Sequence, residues 1–181
     1  MSSRTAVRWI LLFLALAVFG GGLRLLDEGG SGDEPSGSVA SGRVVRVIDG
    51  DTVRVRFERG TETVRYIGVD TPESVKPGTP VECFAKRAAA FNRNLVSGRA
   101  VRLRFGPERR DRYGRLLAYV YVDGSKRSVS ATLVARGYGH VLTIPPNTEH
   151  AVLFNRLQRR AKRRALGLWG TCPSSLGTVH I

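Results

Sequence analysis

From residue 43 onward, apolar positions fall into short β-branched or alternating runs, punctuated by glycine, proline and aspartate. Arg43–Ile48 and Thr52–Phe57 are two such runs, and Asp49-Gly50-Asp51 between them is a hairpin signal. In the second run Val53, Val55 and Phe57 alternate with Arg54 and Arg56, which predicts one buried and one wet face. Thr63–Val69 predicts a third strand after a turn at Arg59-Gly60, and Pro72, Pro77, Gly78 and Pro80 mark a loop. The period then changes. Ala88, Phe91 and Leu95 lie at helical spacing and predict a helix over Phe84–Val96. Val101–Phe105 and Leu116–Val122 predict a fourth and fifth strand, the latter ended by a turn at Asp123-Gly124. Val129–Arg136 predicts a short helix closed by Gly137. After Pro145-Pro146, Thr148 is placed to cap a last helix to about Leu166, with Leu153, Leu157 and Ala161 on one face. The order of three strands, a helix, two strands and two helices predicts an α+β domain, a small closed barrel with helices against it.

The first 41 residues follow another pattern. Trp9–Leu23 is fifteen apolar or glycine residues, with Arg4 and Arg8 before it and Arg24 after it. That length suits the apolar region of a signal peptide and falls short of the ~20 residues of a full span. Leu25 and Leu26, with the flanking arginines reaching toward the headgroups, could extend it to a single anchor. Either way the positive flank places the N-terminus in the cytoplasm and the rest of the chain outside. Asp27–Ser41 is mostly Gly, Ser, Asp and Glu, so it reads as a flexible tether. The expected layout is a signal peptide or anchor over 1–26, a linker over 27–41, a folded domain over 42–171 and a tail over 172–181.

Charge sharpens the picture. The net charge is +14, and residues 1–40 hold three arginines against four carboxylates, so +15 falls on the remainder. A domain this basic is expected to meet a polyanion, because neutralising phosphates drives sequence-independent nucleic-acid binding. Lysines are only Lys76, Lys86, Lys126 and Lys162, so part of the excess could reflect a general preference for arginine. The arginines crowding the last predicted helix read as a solvated face. Cys83 and Cys172 are the only cysteines. In an oxidising compartment they allow one disulfide closing most of the domain, or they are two separate buried thiols.

The chemistry-bearing residues cluster. Asp51, Asp70 and Glu73 supply three carboxylates beside Arg65, and Asp111-Arg112-Tyr113-Gly114-Arg115 adds a second guanidinium next to a turn glycine. Carboxylates that can hold a hard cation, with arginines that can grip a phosphate, are what phosphodiester cleavage needs.

Taken in order, Ile48-Asp49-Gly50-Asp51-Thr52-Val53, Arg65, Val69-Asp70-Thr71-Pro72-Glu73, Asp111 through Tyr119, and Gly167-Leu168-Trp169 resemble the staphylococcal nuclease (thermonuclease) family. The resemblance runs from about Val44 to Trp169. It implies an oligonucleotide-binding (OB) barrel of five strands with three helices. It further implies Ca²⁺ held by the carboxylates of Asp51 and Asp70 and the carbonyl of Thr71. Glu73 would act on the attacking water, Arg65 and Arg115 would clamp the phosphate, and Arg112 and Tyr113 would touch a terminal phosphate. The implied reaction is hydrolysis of the 5′ P–O bond of DNA or RNA, leaving 3′-phosphates. A basic barrel with a two-arginine clamp reads backbone rather than bases, so little sequence preference is expected. A basic, arginine-rich protein of this kind is expected to be a monomer. The family pattern also places tyrosines near the base, where this chain has Leu142 and Ile144. Asp49 is assigned to bracing the turn, and His140, His150 and His180 to structural or exposed roles. The rival reading is a non-catalytic OB module that binds nucleic acid at the cell surface.

Overall fold

The computed structural model describes residues 37–73 and 81–172. The N-terminal apolar segment, most of the expected tether and nearly all of the tail lie outside these residues. No helix among the described residues is long and apolar enough to cross a membrane.

Five strands close a barrel. They are β1 (Val39–Asp49), β2 (Thr52–Phe57), β3 (Gly60–Tyr66), β5 (Ala100–Arg110) and β6 (Leu116–Val122), arranged β1-β2-β3-β6-β5. Every neighbouring pair is antiparallel except β3 and β6, which run parallel and seal the barrel. Alternation explains the core. Val53 and Val55 on β2, Val64 and Tyr66 on β3, and Leu103 and Phe105 on β5 point inward and are buried. Helix α1 (Ala85–Val96) packs beside β1, while Val129, Leu133 and Val134 of α2 (Val129–Arg136) complete the same core. Helix α3 (Ala151–Arg163) sets Phe154 against Ile67, Tyr119 and Ala131 in a second cluster. A single turn, α4 (Leu168–Thr171), follows. The architecture is an OB-type α+β barrel.

Five details differ from the sequence reading. Strand β1 begins at Val39, so the last three residues of the expected tether pair with β5, Val39 opposite Arg104. The third predicted strand is broken after Tyr66, and β4 (Gly68–Asp70) leaves the barrel to pair with β7 (His140–Leu142), which the sequence reading lacked. Gly68 makes that departure: its φ is +85°, and a Cβ there would overlap the Phe154 ring. Strand β5 runs past Phe105 to Arg110, braced by Asn147, which donates to the Glu108 carbonyl (2.9 Å) and accepts from its N–H (3.1 Å). Thr148 does not cap the last helix with its side chain. His150 occupies the N-cap without a side-chain bond, and the Thr148 carbonyl accepts from Ala151 instead. That helix also ends at Arg163 rather than Leu166, because Ala165 turns left-handed (φ 48°) and Leu166 N–H bonds back to the Ala161 carbonyl.

Cys83, just before α1, is bonded to Cys172, just after α4. The bridge spans 89 residues. Loop closure of that size removes enough unfolded-chain entropy to stabilise the fold by ~4–5 kcal/mol. Replacing both cysteines by serine is expected to lower unfolding free energy by about that amount in a urea titration, with loss of the α4 turn first.

Candidate active site

The hairpin between β1 and β2 sets the first carboxylate. Gly50 allows it, since a Cβ there would stand 2.6 Å from Thr71 Oγ1 and force the turn off the chain that follows β4. Asp51 is therefore buried, at 2% exposure, with every oxygen engaged. Its Oδ2 accepts from the Thr71 N–H and hydroxyl, both at 2.9 Å, and its Oδ1 from the Thr52 hydroxyl at 2.9 Å. Oδ1 also pairs with the guanidinium of Arg65.

Arg65 is delivered by β3, opposite Thr52 in the β2–β3 register. Its other arm reaches Asp70 Oδ1 at 2.6 Å, so one guanidinium bridges two carboxylates. Burial disfavours that charge, yet Asp51 and Asp70 together more than offset it and hold Arg65 above its ordinary pKa. Burial pushes the carboxyl of Asp70 above the usual range; Arg65 pulls it back and Asp51 adds to the rise. Two carboxylates share one cation, which leaves a surplus negative charge in a half-buried place.

That surplus is the test of whether the site suits a hard divalent ion. The side-chain donors are oxygens, two of them carboxylates, the ligand type a hard divalent ion takes, and both are now held by Arg65. Among the described residues no three His, Cys, Asp or Glu side chains cluster, so the protein would supply a minority of the six to eight oxygens such an ion takes. The remainder is left to water and phosphate. The residues fit.

A second cluster forms at the β5–β6 turn. Asp111 Oδ1 accepts from the N–H groups of Tyr113 (2.9 Å) and Arg115 (3.0 Å), while Oδ2 takes Arg115 Nε at 2.6 Å. Arg112 and Arg115 flank the exposed ring of Tyr113, at 4.8 and 5.3 Å from its centroid. The parallel β3–β6 ladder, with Arg65 opposite Leu117, brings this cluster alongside the first. Glu73 leaves β4 two residues after Thr71. Its N–H donates to Glu82 Oε2 (3.0 Å) and its carbonyl accepts from Glu82 N–H (3.1 Å), which ties its backbone to the residue preceding Cys83.

The structure thus joins Asp51, Arg65, Asp70 and Thr71 by direct bonds, and holds Arg115 with Asp111, Arg112 and Tyr113 in a neighbouring group. Leu142 on β7 pairs with Gly68 on β4, and Ile144 is exposed, where the resemblance would place aromatic rings.

One supporting residue went unread in the sequence. Asn92 on α1 is fully buried; it donates to the Asp49 carbonyl (2.9 Å) and accepts from the Tyr66 hydroxyl (3.1 Å). An asparagine beside Phe91 reads as a helix surface position, so only its burial reveals the link from α1 to the Asp49 turn. Asn92→Leu is expected to cost ~1–3 kcal/mol by stranding both partners, read by urea unfolding, with a parallel loss of cation affinity. His140 stands opposite Asp70 in the β4–β7 ladder. Burial lowers its pKa below the ordinary imidazole value, and the charge of Asp70 only partly offsets this.

A family model described as "Staphylococcal nuclease homologue" matches residues 63–171. That match begins at Thr63 and does not include Asp51. The chain is 40% identical over 126 residues to a thermonuclease of Staphylococcus intermedius, covering 70% of this chain and 74% of that protein. It is 43% identical over 126 residues to endonuclease YncB of Bacillus subtilis (strain 168), covering 68% of this chain and 59% of that one. The SPbeta prophage-derived endonuclease YokF of the same organism is 41% identical over 126 residues, with 68% of this chain matching 42% of it. The match therefore spans less than two thirds of either Bacillus protein.

Proposed function

The chain belongs to the staphylococcal nuclease family, and from that premise we propose that it is a calcium-dependent nuclease that hydrolyses DNA or RNA with little sequence preference. The observation that carries this reading is the Asp51–Arg65–Asp70 bridge, a phosphate-gripping fork already held against two cation-binding carboxylates. Ca²⁺ held by Asp51, Asp70 and the Thr71 carbonyl would lend Lewis-acid charge to a phosphate oxygen.

The chain's own residues do the rest. Arg65 and Arg115 hold the non-bridging oxygens and meet the charge that grows on them. Glu73 accepts a proton as the water oxygen bonds to phosphorus. The P–O5′ bond breaks, the 5′-oxygen leaves against Arg115 and takes a proton from solvent, and the phosphate stays on the 3′ side. Arg112 and Tyr113 touch a terminal phosphate. Contacts of this kind read backbone rather than bases. Without rings at Leu142 and Ile144, the ~1–3 kcal/mol that stacking gives per base is absent there.

The same reading places the domain outside the cytoplasm, tethered through or released from the Trp9–Leu23 segment, as a monomer. The Cys83–Cys172 bond supports an oxidising compartment.

The test is digestion of single-stranded DNA by the full chain with calcium and with chelator, followed by end-group analysis. Calcium-dependent cleavage to 3′-phosphates that collapses in Arg115→Ala is the expected result. Salt-sensitive binding without cleavage in any divalent ion would replace this reading with the non-catalytic surface module.

A further inference from the structure

The outer face of β1 and β2 carries two pairs of directly opposed arginines. Arg43 faces Arg56 and Arg46 faces Arg54 across the ladder, and all four are exposed. Strict alternation would not produce this. Arg43 and Arg46 are three residues apart, so a regular strand would turn one of them inward. A β-bulge at Val45, between Val44 and Arg46, shifts the phase and turns Arg46 outward, while Val44, Val53 and Val55 stay buried.

Like charges directly opposed weaken a ladder. Among the described residues no carboxylate on this face pairs with them. The β3 partners of Arg54 and Arg56 are Thr63 and Thr61, and Glu62, on the alternate phase of β3, is taken by Arg110. Among the described residues none of the four arginines is in an ion pair, and Arg43 makes one hydrogen bond, to the Gly98 carbonyl at 2.8 Å.

The face is continuous with the active site. Thr52 and Arg65 form the next row on the same side of the β2–β3 ladder. Arg115 precedes Leu116, the partner of Val64, so it emerges outward beside Thr63. Rows along a strand repeat every two residues, about 7 Å. That repeat matches the separation of neighbouring phosphates on an extended strand. The strand 2–3 side of an OB barrel is also a surface able to carry oligonucleotides.

We propose that the Arg46–Arg54 and Arg43–Arg56 rows form an auxiliary track for the nucleic-acid backbone, holding the two phosphates next to the one gripped by Arg65. For its catalytic consequence the track rests on the nuclease reading; for binding it does not. It makes a long strand a better ligand than a short one, and it lets substrate charge relieve a repulsion that the free protein carries.

The experiment compares the full chain with Arg43→Gln/Arg46→Gln/Arg54→Gln/Arg56→Gln and with Arg54→Lys/Arg56→Lys. Binding of a labelled thymidine homopolymer reaching across both rows, and of a short oligonucleotide confined to the site, is titrated with salt under chelator. Polymer affinity is expected to fall at least tenfold in the glutamine variant. Its salt slope should become shallower by about 1.4, two single-strand phosphates' worth. The short ligand should bind as before, the lysine variant should keep the slope, and the melting temperature of the glutamine variant should not fall. An unchanged polymer slope overturns the proposal, as does equal loss for both ligands. So does loss confined to phosphatidylglycerol–phosphatidylcholine vesicles with polymer binding intact, which would make the face a membrane contact. Restoring calcium separates the two readings: a parent protein that cuts neither oligonucleotide sinks the nuclease assignment and leaves the binding comparison standing.

Discussion

Arg65→Gln is expected to lose about 10³–10⁵ in kcat, the loss seen when an arginine that stabilises a transferring phosphoryl group is removed. The same variant is expected to unfold about 3 kcal/mol more readily in chelator. Both effects come from one geometry. The guanidinium that would grip phosphate is, in the free protein, the shared partner of Asp51 and Asp70. Removing it strands a carboxylate that is 2% exposed beside one that is 35% exposed. Water screens the second, which keeps the cost at the low end of that for breaking a buried pair. Calcium should raise the melting temperature of Arg65→Gln more than that of the parent, because the ion would then replace the guanidinium as counter-charge to the two carboxylates. The kcat loss should persist at saturating calcium. A large fall in stability with activity kept would make Arg65 a structural tie. A large fall in activity with stability unmoved would mean the bridge contributes nothing to the fold.

The barrel was legible because its strands obey the period of two. Val53 and Val55 lie buried between exposed Arg54 and Arg56, and α2 occupies Val129–Arg136 with Gly137 left-handed behind it, as its pattern predicts. What escaped reading depends on contacts distant in sequence. Three residues each in β4 and β7 are too few to show a period, and they find one another across some 70 positions. Gly68 breaks an apolar run, Tyr66-Ile67-Gly68-Val69, that alternation alone would carry straight on. The bulge that turns Arg46 outward leaves no mark in a stretch as regular as Val44-Val45-Arg46-Val47. The site divides the same way. Residue types and order put Asp51, Arg65, Asp70 and Glu73 in one neighbourhood, but only coordinates show one guanidinium serving two carboxylates. Asn92 was hidden because polarity on a helix normally marks solvent, and here it marks a buried bridge to the Asp49 turn.

Glu73→Gln separates the chemistry of the site from its architecture. The amide keeps the length of the side chain and one oxygen acceptor, and removes the negative charge together with the capacity to take a proton. A general base contributes ~10²–10⁴ in rate, so kcat is expected to fall by that factor. The backbone should not move, because Glu73 is fixed through its own N–H and carbonyl to Glu82, next to the disulfide at Cys83. The calcium concentration giving half-maximal rate should therefore match the parent's, whereas Asp51→Asn should raise it, Asp51 being bonded to both Arg65 and Thr71. If Glu73→Gln instead raised the calcium requirement as far as Asp51→Asn does, Glu73 would belong with the cation ligands and the base would have to be sought elsewhere. If Gln kept a tenth of the parent rate while Ala kept none, an oriented acceptor would suffice, and the proton would pass to water. A loss equal in Gln and Ala, with the calcium dependence unchanged, assigns the lost rate to the ionised carboxylate as proton acceptor rather than to side-chain size or a neutral hydrogen bond.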